Sequence, residues 1–155
     1  MKLDDNYPLD MFEPLWGLFY SLFDDEEIES VKEVWNELKD SQESWESYED
    51  HFRELDDSES ENLSKIMSCD KFNVFMDKGL KEQNGDGYWA DPHLIACAMN
   101  KNEAIIITEE NLNNKPMRKI PYVCKELNKE GYNIKCINLL DFLRHKGVKF
   151  QISLK

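Results

Sequence analysis

Ala104–Ile107 (AIII) is the only long uninterrupted β-branched run in this chain, and it constrains the fold more than any other stretch. β-Branched side chains are stiff at χ1 and pack well on extended backbone. A short all-apolar run bounded by turns reads as a strand buried on both faces, as in a parallel sheet covered by helices. Thr108, Glu109 and Glu110 follow at its carboxyl end, the edge where open α/β sheets place their ligands. Upstream, Lys81–Tyr88 is a loop with the turn dipeptides Asn84-Gly85 and Asp86-Gly87. Asp91-Pro92 then reads as an Asp N-cap with Pro at the first helical position. Leu94, Ile95, Ala98 and Met99 form the buried side of that helix.

Downstream, Asn111–Lys119 is a polar loop, and Lys115, Arg118 and Lys119 are the only basic cluster near the acids. Pro121 opens a helix to Glu130 that Gly131 stops. Asn133–Ile137 reads as a second strand and Leu139–His145 as a helix closed by Gly147. Val148–Leu154 alternates, as an edge strand or a docked tail would. The second half is therefore α-β-α-β-α.

The first half reads as helical. Phe12, Leu15, Trp16, Phe19, Leu22 and Phe23 fall at three- and four-residue spacing, one core-facing helix side with Pro14 in its first turn. Ser30 with Glu33 matches a capping box ahead of a helix to Lys39, whose apolar side is Val31, Val34, Trp35 and Leu38. Glu37 lies beside that apolar side. Asp40–Asp57 reads as a second helical region striped by Trp45, Tyr48, Phe52 and Leu55. Ser58–Gly79 supplies a further helix or pair, with Gly79 as its stop.

A chain of 155 residues fits one domain, 1–155, with a core of its own. The net charge of −13 repels nucleic acid at long range and disfavours a broad RNA- or DNA-coating role. It leaves room for a local metal site acting on a phosphodiester. Cys69, Cys97, Cys124 and Cys136 are widely spaced, with no CxxC pair, so they read as small buried hydrophobes in a reducing cytoplasm rather than a zinc site. No signal peptide and no membrane span is legible.

No GxSxG, Walker loop or dinucleotide glycine pattern occurs. His93 and Cys97 stand at i, i+4, but on a helix side that packs. Acids remain: Glu37, Asp91 and Glu110 are the candidates to converge. Carboxylates suit hard cations such as Mg²⁺ or Mn²⁺, which activate water and stabilise the leaving oxygen in phosphodiester cleavage. Thr108 is placed to orient a substrate phosphate. Among 32 acidic residues, three carboxylates alone specify no more than an α/β domain.

Four segments in order carry more. Ala90-Asp91-Pro92 with Leu94-Ile95-Ala96 and Ala98, Thr108-Glu109-Glu110, and Lys119-Ile120-Pro121 with Cys124 resemble a prokaryotic branch of PIN-like domains. Tyr7–Trp16 and Ser30–Leu38 resemble its first two helices, so the similarity spans nearly the whole chain. The resemblance implies an α/β fold, a PIN-like three-layer sandwich with a short parallel sheet flanked by helices and a helix-rich N-terminal half. It implies a Mg²⁺- or Mn²⁺-dependent ribonuclease, a toxin of a toxin–antitoxin pair. Glu37, Asp91 and Glu110 would be both the catalytic residues and the metal ligands, with Thr108 beside them at the substrate phosphate. Glu109 would be outside the ligand set, because the family's acid lies two residues after the Thr. The partners implied are an RNA substrate and an antitoxin protein, with a second copy of the chain compatible and no membrane.

The pattern departs from the family at its start. PIN domains usually open with a hydrophobic strand ending in a metal-ligating Asp. Asp4-Asp5-Asn6 mimics that ending without the apolar residues before it. Either the strand precedes Met1, or the chain is a degenerate PIN-like module that works through protein contacts. The expectation for the chain as written is an incomplete metal site and weak or absent nuclease activity.

Overall fold

The computed structural model describes residues 7–38, 45–82 and 89–148. Helix α1 (Leu9–Asp24) buries Leu15, Trp16, Phe19, Leu22 and Phe23 on one side, as the apolar spacing predicts. Trp16 is fully buried and its indole N–H donates to the Tyr7 carbonyl at 2.7 Å. Phe12 leaves the helical region (φ −122°, ψ 33°), two residues before Pro14. A proline ring crowds the preceding turn and disfavours helix just ahead of it, so the chain kinks there. Phe12 turns outward and is exposed, unlike the rest of its expected side.

The next segment departs from the sequence reading. Ser30 does not cap a helix: β1 (Ser30–Val31) pairs in parallel with β2 (Phe52–Arg53), Ser30 opposite Phe52 and Val31 opposite Arg53. Helix α2 (Lys32–Leu38) begins only after this strand. Val31 is fully buried in the pairing, which overrides the local capping pattern. The region read as helical over Asp40–Asp57 holds a 3₁₀ helix (Glu46–His51) followed by β2, and its part at 39–44 lies outside the described residues. Trp45 and Phe52 still point into the core, and Tyr48 stacks on Tyr20 at 4.6 Å between ring centres.

Helix α3 (Asp57–Ser68) carries the capping box instead. The Asp56 carboxylate accepts from the Glu59 N–H at 2.8 Å, and Glu59 accepts from the Asp56 N–H at 2.9 Å. A 3₁₀ turn (Asp70–Phe72) leads to α4 (Asn73–Glu82), which runs through Gly79 rather than stopping there. Then come α5 (Asp91–Met99), β3 (Ala104–Ile107), a 3₁₀ turn (Pro116–Arg118), α6 (Ile120–Asn128), β4 (Ile134–Ile137) and α7 (Leu139–His145). Gly131 (φ 103°) and Gly147 (φ 69°) follow α6 and α7 as expected.

β3 and β4 are parallel, from Ala104 opposite Ile134 to Ile107 opposite Ile137, with α6 as the crossover. Alternate strand residues point to opposite faces. Ala104, Ile106, Ile134 and Cys136 pack into a core with α3, α4, α5 and α6, through residues such as Ile66, Phe75, Ile95 and Val123. Ile107 and Ile137 pack into a second core with α1, α2 and α7, around Trp16, Phe19, Leu139 and Phe142. The fold is thus helix-rich α/β, with short parallel sheets flanked by helices. One expectation fails at the edge: Ile105 is 47% exposed, so the AIII run is not buried throughout. It sits opposite exposed Lys135, nearer the amino end of the sheet than Ile107, beyond the second helical layer. Among the described residues the two sheets have two strands each, and α5 packs against both β1 and β3. No described helix is long and apolar enough to cross a membrane.

Candidate functional site

The start of α5 gathers acids from two elements. Ala90 (φ −77°, ψ −25°) takes the cap position and Asp91 is the first helical residue, with Pro92 in the first turn. Asp91 is therefore one residue inside the place the sequence predicts. The Ala90 side chain cannot cap, and the Ala90 N–H is met by another element: Glu37 of α2 accepts from it at 2.8 Å. This contact sets the Glu37 carboxylate beside the start of α5, one residue before Asp91. Glu37 is exposed and Asp91 half-buried.

Glu33, one turn before Glu37 on the same side of α2, joins them. Its Oε1 lies 3.4 Å from His93 Nε2, and His93 Nδ1 lies 3.0 Å from the Trp89 carbonyl oxygen. Glu33 Oε2 is buried and accepts no hydrogen bond among the described residues; the Trp89 indole N–H is also buried without an acceptor. Buried polar atoms normally have partners, so these two atoms stand out among the described residues.

The carboxyl end of β3 is built differently. Thr108 is 7% exposed; its N–H donates to the Ile137 carbonyl at 2.8 Å and its hydroxyl accepts from the Glu110 N–H at 3.1 Å. It holds the turn and presents little surface to a substrate. Glu109 accepts from the Leu139 N–H, the first residue of α7, at 3.0 Å. Glu110 accepts from the Ile120 N–H, the first of α6, at 2.7 Å through one oxygen, and from Lys119 Nζ at 3.2 Å through the other. Helix N-termini carry unpaired N–H groups and partial positive charge, and both glutamates answer that demand.

Around these acids lies a cavity of about 280 Å³ lined by Glu109, Glu110, Asn111, Asn114, Lys115, Arg118 and Lys119. Three cations meet there in a chain whose net charge is −13. Lys115 adopts a left-handed conformation (φ 47°) at the turn into Pro116–Arg118. The basic cluster seen in the sequence thus borders Glu110 and gives an approaching anion a local attraction.

The structure brings Glu37 to the start of α5 beside Asp91, and Thr108 to Glu110. Among the described residues, no three His, Cys, Asp or Glu side chains are arranged to hold a metal ion. Sequence reasoning missed Glu33 and His93. The four-residue spacing of Glu33 and Glu37 and the two-residue spacing of Asp91 and His93 were the available signals.

A second ionic group was also missed. Arg53 of β2 donates to both Glu59 oxygens, at 2.6 and 2.7 Å, to Glu29 at 3.2 Å and to Cys97 Sγ at 3.2 Å. Lys101 pairs with Glu29 at 2.6 Å. The Arg53 guanidinium holds Glu59 down to about 2. Burial, together with the Glu29 and Glu59 carboxylates, pushes the Cys97 thiol up to about 12, which keeps it protonated and a poor nucleophile. This group ties β2 to α3 and α5.

The chain belongs to the family described as a domain of unknown function, DUF4411, whose model matches residues 2–150. No curated protein and no solved structure matches it.

Proposed function

We propose that this chain is a PIN-like, Mg²⁺- or Mn²⁺-dependent ribonuclease of the toxin–antitoxin kind, acting in the cytoplasm. The observation that carries the reading is the Glu37–Ala90 hydrogen bond, which brings a carboxylate from α2 to the residue before Asp91. The donor chemistry fits a hard cation: carboxylate oxygens at one helix start, with Glu33 one turn away on α2. Glu37, Asp91 and Glu110 would hold the ion, and when bound it supplies water activation and neutralises charge at a phosphodiester. The chain's own residues do the rest. Lys115, Arg118 and Lys119 take up backbone phosphate at the cavity, and Thr108 fixes the Glu110 backbone. Capture of an RNA phosphate by Lys119 would release the Glu110 oxygen it now occupies.

One observation favours a second reading, a non-catalytic PIN-like module that binds an antitoxin-type protein. Glu110 is engaged by a helix N-terminus and a lysine, and the three acids are not gathered around one point among the described residues. The two readings separate in one assay. Purified chain is incubated with single-stranded RNA and Mn²⁺ or Mg²⁺, with chelator and Asp91→Asn as controls. The nuclease reading expects slow cleavage abolished by both controls. Cleavage that survives Asp91→Asn refutes the assigned site, and no cleavage with either metal leaves the binding module.

A further inference from the structure

We propose that Cys124 and Cys136 are a reversible oxidation site, forming a disulfide that pins α6 to β4 when a peroxide-class oxidant is present. The inference is independent of the nuclease reading. Cys124 lies one turn into α6 and Cys136 in the middle of β4, opposite Ile106. Helix and strand pack directly on each other, and the two side chains share one core. Each thiol acts on its neighbour: Cys136 and burial push the Cys124 thiol up, and Cys124 holds the Cys136 thiol below its ordinary value. The two are unequal in access: Cys124 is 2% exposed, whereas Cys136 is partly open to solvent. Cys97 provides the contrast, because its sulfur faces Arg53 and Glu29 and no thiol.

That inequality sets the order of steps. The Cys136 sulfur attacks a peroxide oxygen; an S–O bond forms, the O–O bond breaks, and the leaving hydroxide takes the thiol proton as water. The Cys124 sulfur then attacks the sulfenic sulfur. The S–S bond forms, the S–O bond breaks, and the second hydroxide leaves as water with the Cys124 proton. Two thiols lose two electrons in all, and one hydrogen peroxide becomes two waters. A thiol reductant reverses the change. The crosslink fixes the first turns of α6, the helix whose leading N–H is held by Glu110.

The test treats the full chain with stoichiometric hydrogen peroxide, alkylates the remaining thiols under denaturing conditions and maps the peptides by mass. The expected result is a Cys124–Cys136 crosslinked peptide that dithiothreitol dissolves, with Cys97 fully alkylated. In Cys124→Ser, Cys136 should be trapped by dimedone as the sulfenic acid; in Cys136→Ser, Cys124 should remain a thiol. Wild-type chain that gives no crosslink, a crosslink through another cysteine, or direct over-oxidation of Cys136 overturns the proposal. The wild-type mapping decides even if a variant fails to fold.

Discussion

Replacing Glu59 by Gln isolates the charge of one buried carboxylate. Glu59 is 2% exposed, accepts two hydrogen bonds from Arg53, and closes the capping box with Asp56. Glutamine retains an oxygen for the Asp56 N–H but loses the anion. In the folded chain the Glu59 carboxyl ionises at about 2, against 4.5 as the ordinary value, because Arg53 binds the charged form. A difference of this size corresponds to about 3 kcal/mol of stability at neutral pH. Arg53 is 33% exposed, so solvent screening trims that to about 2–3 kcal/mol. Removing one partner of a buried pair typically costs ~3–5 kcal/mol, so the two arguments meet near 3. In a chain of this length the loss lowers the melting temperature by roughly 5–10 °C. Because the folded pKa is depressed, the contribution is complete above pH 4.5 and disappears as pH falls through 2. By the same linkage about 1 kcal/mol of it remains at pH 3. Thermal or urea melts of wild type and Glu59→Gln between pH 2 and 7 should therefore converge toward the acid end. A constant gap across that range would refute the assignment of the stability to the Glu59 charge.

The remaining predictions concern the site's scaffolding and the core. Glu110→Ala removes the acceptor for the first N–H of α6 and should cost about 1 kcal/mol in chemical denaturation, whereas Glu110→Gln keeps an acceptor and should cost less. Glu109→Ala removes the acceptor for the first N–H of α7, which keeps its Asn138 cap, and should cost ~0.5–1.5 kcal/mol, with no effect on any metal-dependent cleavage. Gly131→Ala meets open space but forces a side chain onto φ 103°, so melts should show a loss of about 1–2 kcal/mol from backbone strain alone. Trp16→Ala, at a fully buried position with a satisfied indole, should cost ~3–5 kcal/mol and broaden the near-ultraviolet signal of the aromatic core.

What was legible in the sequence were elements whose side chains repeat over a full period. The buried side of α1, the helix behind Asp91-Pro92, strands β3 and β4, and the glycine stops after α6 and α7 fall where the spacing puts them. The two-residue strands β1 and β2 were not legible, because two residues carry no periodicity and their pairing is between positions distant in sequence. The box Asp56–Glu59 was present as D-x-x-E but straddled the boundary read between the helical regions Asp40–Asp57 and Ser58–Gly79. At the site, the acids were legible as residue types and their hydrogen bonds were not. That Glu37 meets Ala90, and Glu110 meets Ile120, depends on how α2 and α6 pack, which no local pattern encodes. The same holds for Cys124 and Cys136, whose adjacency arises only because α6 lies on β4.

Strand parity explains why two consecutive glutamates have different roles. Side chains alternate between faces along the strand, so Ile106 and Ile107 face opposite layers, and the turn after it continues that order with Glu110 and Glu109. Ile106 packs toward α5 and α6, and Glu110 reaches the start of α6. Ile107 packs toward α1 and α7, and Glu109 reaches the start of α7. The layer that receives Glu110 is also the layer of α5, the helix that begins with Asp91. Glu110 and Asp91 thus belong to one layer, and Glu109 belongs to the opposite one. A one-residue deletion in the Thr108–Glu110 turn would leave a glutamate facing α7 and bring Asn111 to the place from which Glu110 now holds α6, and so would remove the α6 carboxylate and the proposed site in one step.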